Sequence, residues 1–159
     1  MATIDIISRR LTTHQAALAT TGVDPTWDKA LHAYLRADVL QQADLEIGAY
    51  AGANEVLLRR RWALETKYGK GWRQHPAAGN ECHELDAMSK VMDDAWVRDF
   101  CAPFWRVSRE LALTPSPTMA AAIFKASMIE ADDLANDSEF PANAMEVLQA
   151  DFARLAGEA

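Results

Sequence analysis

The chain has 159 residues, half of them hydrophobic, with 16 Lys/Arg against 23 Asp/Glu and a formal net charge of −7. That length suits one compact domain, and the apolar content can fill its core, which excludes an intrinsically disordered protein. The acidic balance argues against a protein that coats DNA, and no apolar run reaches the roughly 18 residues that a membrane-spanning helix needs.

Charge is unevenly spread. Residues 1–80 carry ten Lys/Arg against eight Asp/Glu, whereas residues 81–159 carry six against fifteen. Regions of opposite sign attract one another, within a subunit or between subunits. Cys82 and Cys101 are too few for a disulfide framework. Arg9 and Arg10 follow the first apolar residues instead of preceding them, so the start does not read as a secretory signal. The expected compartment is the bacterial cytoplasm, or a phage particle assembled there.

In chain order, Ile4, Ile7, Leu11, His14 and Leu18 alternate spacings of three and four, which predicts a helix over residues 3–20. The β-branched residues 3–7 leave a short strand as the alternative. His14 falls where that stripe expects an apolar residue, either at the edge of the core or as a register-fixing polar group. Gly22 suits a left-handed turn after it. Asp24-Pro25 then predicts a helix start, Asp24 capping the exposed amides and Pro25 filling the first helical position. Trp27, Ala30, Leu31 and Tyr34 share one face of this helix, and beyond Asp38 the stripe passes to Leu40, Ala43, Ile47 and Tyr50. The helical character resumes at Val56, Leu57, Leu58, Trp62 and Leu64, so residues 25–67 form one long helix or a pair broken near Gly52.

Residues 69–80 hold three of the seven glycines and a proline, which predicts a linker or turn. A helix is expected from Glu81, with Leu85, Met88, Met92, Ala95 and Trp96 on one face and a kink or restart at Pro103. Phe100, Phe104, Val107 and Leu111 continue its stripe. Ser116-Pro117 predicts the next helix start, with Met119, Ile123 and Ala126 on one face and Phe124, Met128 and Ala131 on the adjoining one. That helix ends near residues 136–138. Pro141 opens the last, whose Ala144, Leu148, Phe152 and Leu155 line one side.

Two charged regions remain once these stripes are assigned to architecture. Arg59, Arg60, Arg61, Trp62, Lys70, Trp72 and Arg73 interleave basic and aromatic residues, a pattern that can grip single-stranded nucleic acid. The favoured reading is that these arginines bond to carboxylates elsewhere while the aromatics anchor the helix end. Glu130, Asp132, Asp133, Asp137 and Glu139 form an acidic cluster that opposes the helix macrodipole, so it is not there for local helix stability. It is a solvated face or a dock for a basic surface. His75, Cys82, His83 and Glu84 lie near one another but match no zinc-ligand spacing, and no metal or other cofactor is expected. No nucleophile elbow, phosphate loop or dinucleotide fingerprint is present, so no catalytic residue is assigned.

Trp27-Asp28-Lys29-Ala30-Leu31-His32-Ala33-Tyr34 resembles the WDxALxAY start of a family of small Ala-rich helical proteins of alphaproteobacteria, often encoded in prophage-like regions. Leu113-Thr114-Pro115-Ser116-Pro117, continuing to Ala122-Ile123-Phe124-Lys125, resembles their ATPAPDxxALxxK junction, and residues 145–155 are similar to their closing helix. The sequence departs from that pattern at Ser116 and Thr118. The resemblance implies an all-helical fold and a mobile-element context, and it carries over no catalytic or binding residue.

The expected protein is therefore all-α, a helical bundle of about five helices with one long helix or helical hairpin over residues 25–67. It forms a single domain over residues 1–159, with a possible division into an arm (1–68), a linker (69–80) and a bundle (81–157). Its expected function is non-enzymatic protein–protein interaction as a homo-oligomer or with a protein partner, as a phage or mobile-element accessory or structural component. A nucleic-acid-associated protein using residues 59–73 is the alternative, as is an acidic inhibitor that mimics phosphate charge to a nucleic-acid-binding enzyme.

Overall fold

Asp24 and Pro25 start the first long helix as the sequence predicts: the Asp24 carboxylate accepts from the amides of Thr26 and Trp27 at 2.7 and 3.1 Å. These and all distances below come from a computed structural model, which describes residues 14–157. The architecture is all-α, with no strand among the described residues. Six α-helices follow one another: α1 (Pro25–Ile47), α2 (Ala49–Tyr68), α3 (Gly79–Trp96), α4 (Ala102–Leu113), α5 (Met119–Ala131) and α6 (Ala144–Gly157). Residues 14–18 are also helical, and most of the predicted first helix, with its strand alternative, lies outside the described residues.

Of the two alternatives for residues 25–67, the structure has the broken pair, divided at Gly48, four residues before Gly52. Gly48 leaves the helical region at ψ −161°, and the Asp44 carboxylate accepts the Ala49 amide at 2.8 Å, capping the new helix. A Cβ at position 48 would overlap the Asp44 side chain, so the cap needs a glycine there. Gly52, by contrast, stays within α2, its amide bonded to the Gly48 carbonyl.

The chain forms two compact units, one from Met1–Ala37 with Trp105–Ala159 and the other from Asp38–Phe104. In the first, Trp27, Leu31 and Tyr34 are buried as their spacing predicts, along with Val107 and Leu111 of α4 and Ala144 and Leu148 of α6. On α5 the two predicted faces separate. Phe124 and Met128 are buried, whereas Met119 and Ile123 are exposed, their place in the core taken by Ala121, Ala122, Lys125 and Ile129. Thr118 caps this helix, its hydroxyl accepting from the Ala121 amide, so Ser116-Pro117 is not its start. Ser116 is instead buried, its amide held by Asp151.

The second unit contains an antiparallel hairpin. Tyr50 reaches Asp93, Arg60 reaches Met88 and Lys67 reaches Glu81, so α2 and α3 run side by side in opposite directions. Its core is small: Leu57, Leu64, Trp72 and Leu85, with Tyr68, Cys82 and Met92 packed against them. Residues 69–80 lie inside this unit, where buried Trp72 joins the two helices and short 3₁₀ turns at Trp72–Gln74 and Pro76–Ala78 give the segment its own structure. Gly69, at φ +83°, ends α2 with the left-handed geometry glycine tolerates. Ahead of Pro103 the helix restarts through a π turn at Val97–Cys101, a widening that accommodates the proline's missing N–H.

Candidate interaction surface

The predicted stripe over the second half of α1 is inverted. Leu40 and Ala43 are exposed and Ile47 is 85 % exposed, while Asp38 on the opposite face and Asp44 at the edge of the stripe are buried. Asp44 is turned inward because it caps α2, and Gln41, on a neighbouring position, donates to the Cys101 thiol at 3.4 Å. The inward face of this segment is therefore chosen by polar bonds, and its apolar residues face out.

Between α2 and α3 lies an open groove of about 580 Å³ whose walls are almost wholly apolar. Tyr50 and Ala53 form one wall, and Met88, Val91, Ala95 and Trp96 the other, with Asp44 and Asp99 at one end. Val91 is 70 % exposed. Tyr50 stacks on Trp96 at a centroid distance of 4.9 Å and donates to Asp93; burial and that carboxylate push its phenol pKa up. Asp99 receives two bonds from Arg98 at 2.7 Å, which hold its carboxyl below the usual carboxylate range. Towards the turn, the same seam continues as a smaller cavity of about 280 Å³ lined by Arg60, Ala63, Lys67, Glu81 and Glu84.

The basic and aromatic candidates fall along this hairpin but do not converge on one face. Arg59 pairs with Glu55, Arg73 with Asp86 at 3.1 Å, and Lys67 with Glu81 at 2.9 Å. Bonds to Tyr68 and Glu81 raise the Lys67 pKa, and the same ammonium and phenol lower that of Glu81. Trp72 is buried in the core, and Arg73 lies over its ring. Arg61 is half-buried, Lys70 is exposed, and Trp62 stands 66 % exposed. Three of the cations thus have partners inside their own unit.

The acidic cluster of the first unit is also partly engaged. Arg109 bonds to Asp137 at 3.4 Å and Glu139 at 2.6 Å, and these carboxylates raise its pKa. Tyr34 donates to Asp132 at 2.9 Å. Asp133 adopts φ +52° and accepts from Asn136, while Glu130 is exposed. Around the second turn, His75 accepts from the Ala77 amide and stacks on Tyr68, and Cys82 packs against the core. No group of three His, Cys, Asp or Glu side chains converges among the described residues.

Spacing alone did not reveal Lys125 and Asp151. Lys125 lies fully buried and donates to Asp151 at 2.7 Å and to the Thr114 carbonyl at 2.5 Å. Burial lowers its pKa despite the carboxylate. Asp151 also accepts from the Ser116 amide at 2.9 Å, so the pair ties the 114–116 turn to α5 and α6. A lysine at an inward position of an otherwise apolar helix was the available signal. The geometry of the pair is that of a structural knot. No protein-family model matches the chain, and no characterised protein or solved structure is similar to it.

Proposed function

We propose that this chain is a non-enzymatic helical protein that acts by protein–protein contact, presenting the α2/α3 groove to a partner helix. The observation that carries the reading is the groove itself. Apolar walls of this extent beside the small Leu57, Leu64, Trp72 and Leu85 cluster are better satisfied by a docked helix than by water. Alanines at positions 53 and 95 let a partner backbone approach closely, and Met88 and Met92 supply adaptable apolar contact. The outward apolar residues of α1, from Leu40 to Ile47, extend the same character within the unit.

A nucleic-acid role for residues 59–73 is the weaker reading, because Arg59, Lys67 and Arg73 already face carboxylates. A place in a phage or other mobile element rests on the family resemblance alone, and it is compatible with a structural or accessory subunit. The test is a photo-crosslinking side chain placed at Val91 in cells. Discrete protein adducts are the expected result. Adducts at a control site such as Lys70 with none at position 91 would overturn the proposal.

A further inference from the structure

We infer that the occupant of the α2/α3 groove is a basic amphipathic helix of another protein, its apolar face seated between the walls and its lysines or arginines over the acidic end. The inference rests on the docking function proposed above and adds the chemistry of the partner. Two observations point to it. The first is the form of the seam. On α3 and the π turn after it, Met88, Val91, Met92, Ala95, Trp96 and Asp99 line the groove at helical spacing, a stripe about 16 Å long at the helical rise per residue. That length suits about three turns of a partner helix. The groove is also open on its outer side. A small ligand needs a site that encloses most of its surface, whereas a helix can bury one face and leave the other in water.

The second observation is charge. The groove end, residues 44–56 and 88–99, carries six Asp/Glu against two Lys/Arg, whereas the turn end, residues 57–87, carries six Lys/Arg against four Asp/Glu. Three of the six carboxylates are offset: Glu55 by Arg59, Asp94 by Lys90 and Asp99 by Arg98. The other three are Asp44, Glu46 and Asp93. Asp44 caps Ala49, Asp93 accepts from Tyr50 and Ser89, Glu46 is exposed, and none of them meets a cation among the described residues. Among those residues, the charged groups that line the groove are Asp44 and Asp99, both acidic and both at one end. The apolar walls therefore lie in a negative field, which attracts a helix flanked by cations and repels an acidic one. The same field disfavours a second copy of this groove, which would bring the same three carboxylates to the contact.

The experiment is a fluorescence-anisotropy titration of two labelled synthetic peptides with the full chain. Both are helix-forming, about fourteen residues long, with leucines on one face; one carries lysine and the other glutamate on the opposite face. The lysine peptide is expected to bind roughly tenfold or more tightly than the glutamate peptide, and added salt should shrink that ratio. V91Q leaves the charge unchanged but sets an amide in the middle of the wall at an exposed position, and it should weaken lysine-peptide binding about fivefold or more. E46Q combined with D93N spares the wall and should lower the preference for lysine. Circular dichroism checks the helicity of each variant. Equal affinity for the two peptides, or a preference for glutamate, would overturn the basic partner. Lysine-peptide binding that V91Q leaves intact would show that the groove is not its site. Sedimentation equilibrium showing a dimer of wild type but not of V91Q would overturn the inference in favour of a second copy. If neither peptide binds, the basic partner falls, and the crosslinking probe at Val91 then decides the docking function separately. Adducts there keep the groove as a site for a partner of other charge, and their absence removes both readings.

Discussion

Lys125 and Asp151 place two charges where an apolar helix face would ordinarily put two aliphatic side chains. Removing one member of such a pair strands the other, so Lys125→Met should cost about 3–5 kcal/mol in chemical denaturation. The combined loss of Lys125 and Asp151 should cost less than the two single losses summed. Acid sharpens the same point. Burial raises the Asp151 pKa, but the Lys125 ammonium and the Ser116 amide outweigh it, and the carboxyl ends below its usual range. The folded state therefore binds this proton less readily than the unfolded chain. Its contribution is complete above the ordinary carboxylate range and is lost as pH falls through the lowered value. Lys125→Met removes that contribution, so the stability gap between variant and wild type in chemical denaturation should narrow as pH falls through the carboxylate range. Gly48 is the other residue whose identity is fixed by its surroundings. Gly48→Ala drives a Cβ into the Asp44 side chain and displaces the cap on Ala49, an expected loss on the order of 1–3 kcal/mol.

Among the elements, legibility follows the kind of force at work. Where burial of apolar surface decides the orientation, as on α6 at Ala144 and Leu148 and on α1 at Trp27, Leu31 and Tyr34, the residues read from spacing are buried. Where polar bonds decide it, the stripe misleads. On α1 the buried positions are Asp38, opposite Leu40 and Ile47, and Asp44, which caps α2, while Leu40 and Ile47 face out. Ahead of α5, Thr118 and not Ser116 supplies the cap, and the Ser116 amide is held by Asp151. That bond joins residues thirty-five apart, a separation that no local pattern encodes. The 69–80 segment was read as a linker for its glycines and proline, yet Trp72 within it closes the hairpin core. Trp72→Ala should cost about 3–5 kcal/mol and open the hairpin to amide hydrogen exchange. Hydrogen exchange in Leu57 and Leu64 that matched wild type would count against that role.

For the whole molecule, the charge asymmetry visible in the sequence has a finer form in the structure. The contrast first drawn between residues 1–80 and 81–159 is met in part by ion pairs that cross that division, Lys67 with Glu81 and Arg73 with Asp86. What remains is the polarity along one hairpin, which no division of the chain into halves displays. If a second copy rather than another protein fills the groove, folding and association are linked, because the groove exists only when the hairpin is formed. The melting temperature of wild type should then rise with protein concentration. V91E places a carboxylate in the middle of the apolar wall at an exposed position, where it need not disturb the hairpin core. Its melting temperature should stay constant over the same concentration range, and at high dilution it should match that of wild type. A concentration-independent wild-type melt would mean that the groove is not filled by a second copy.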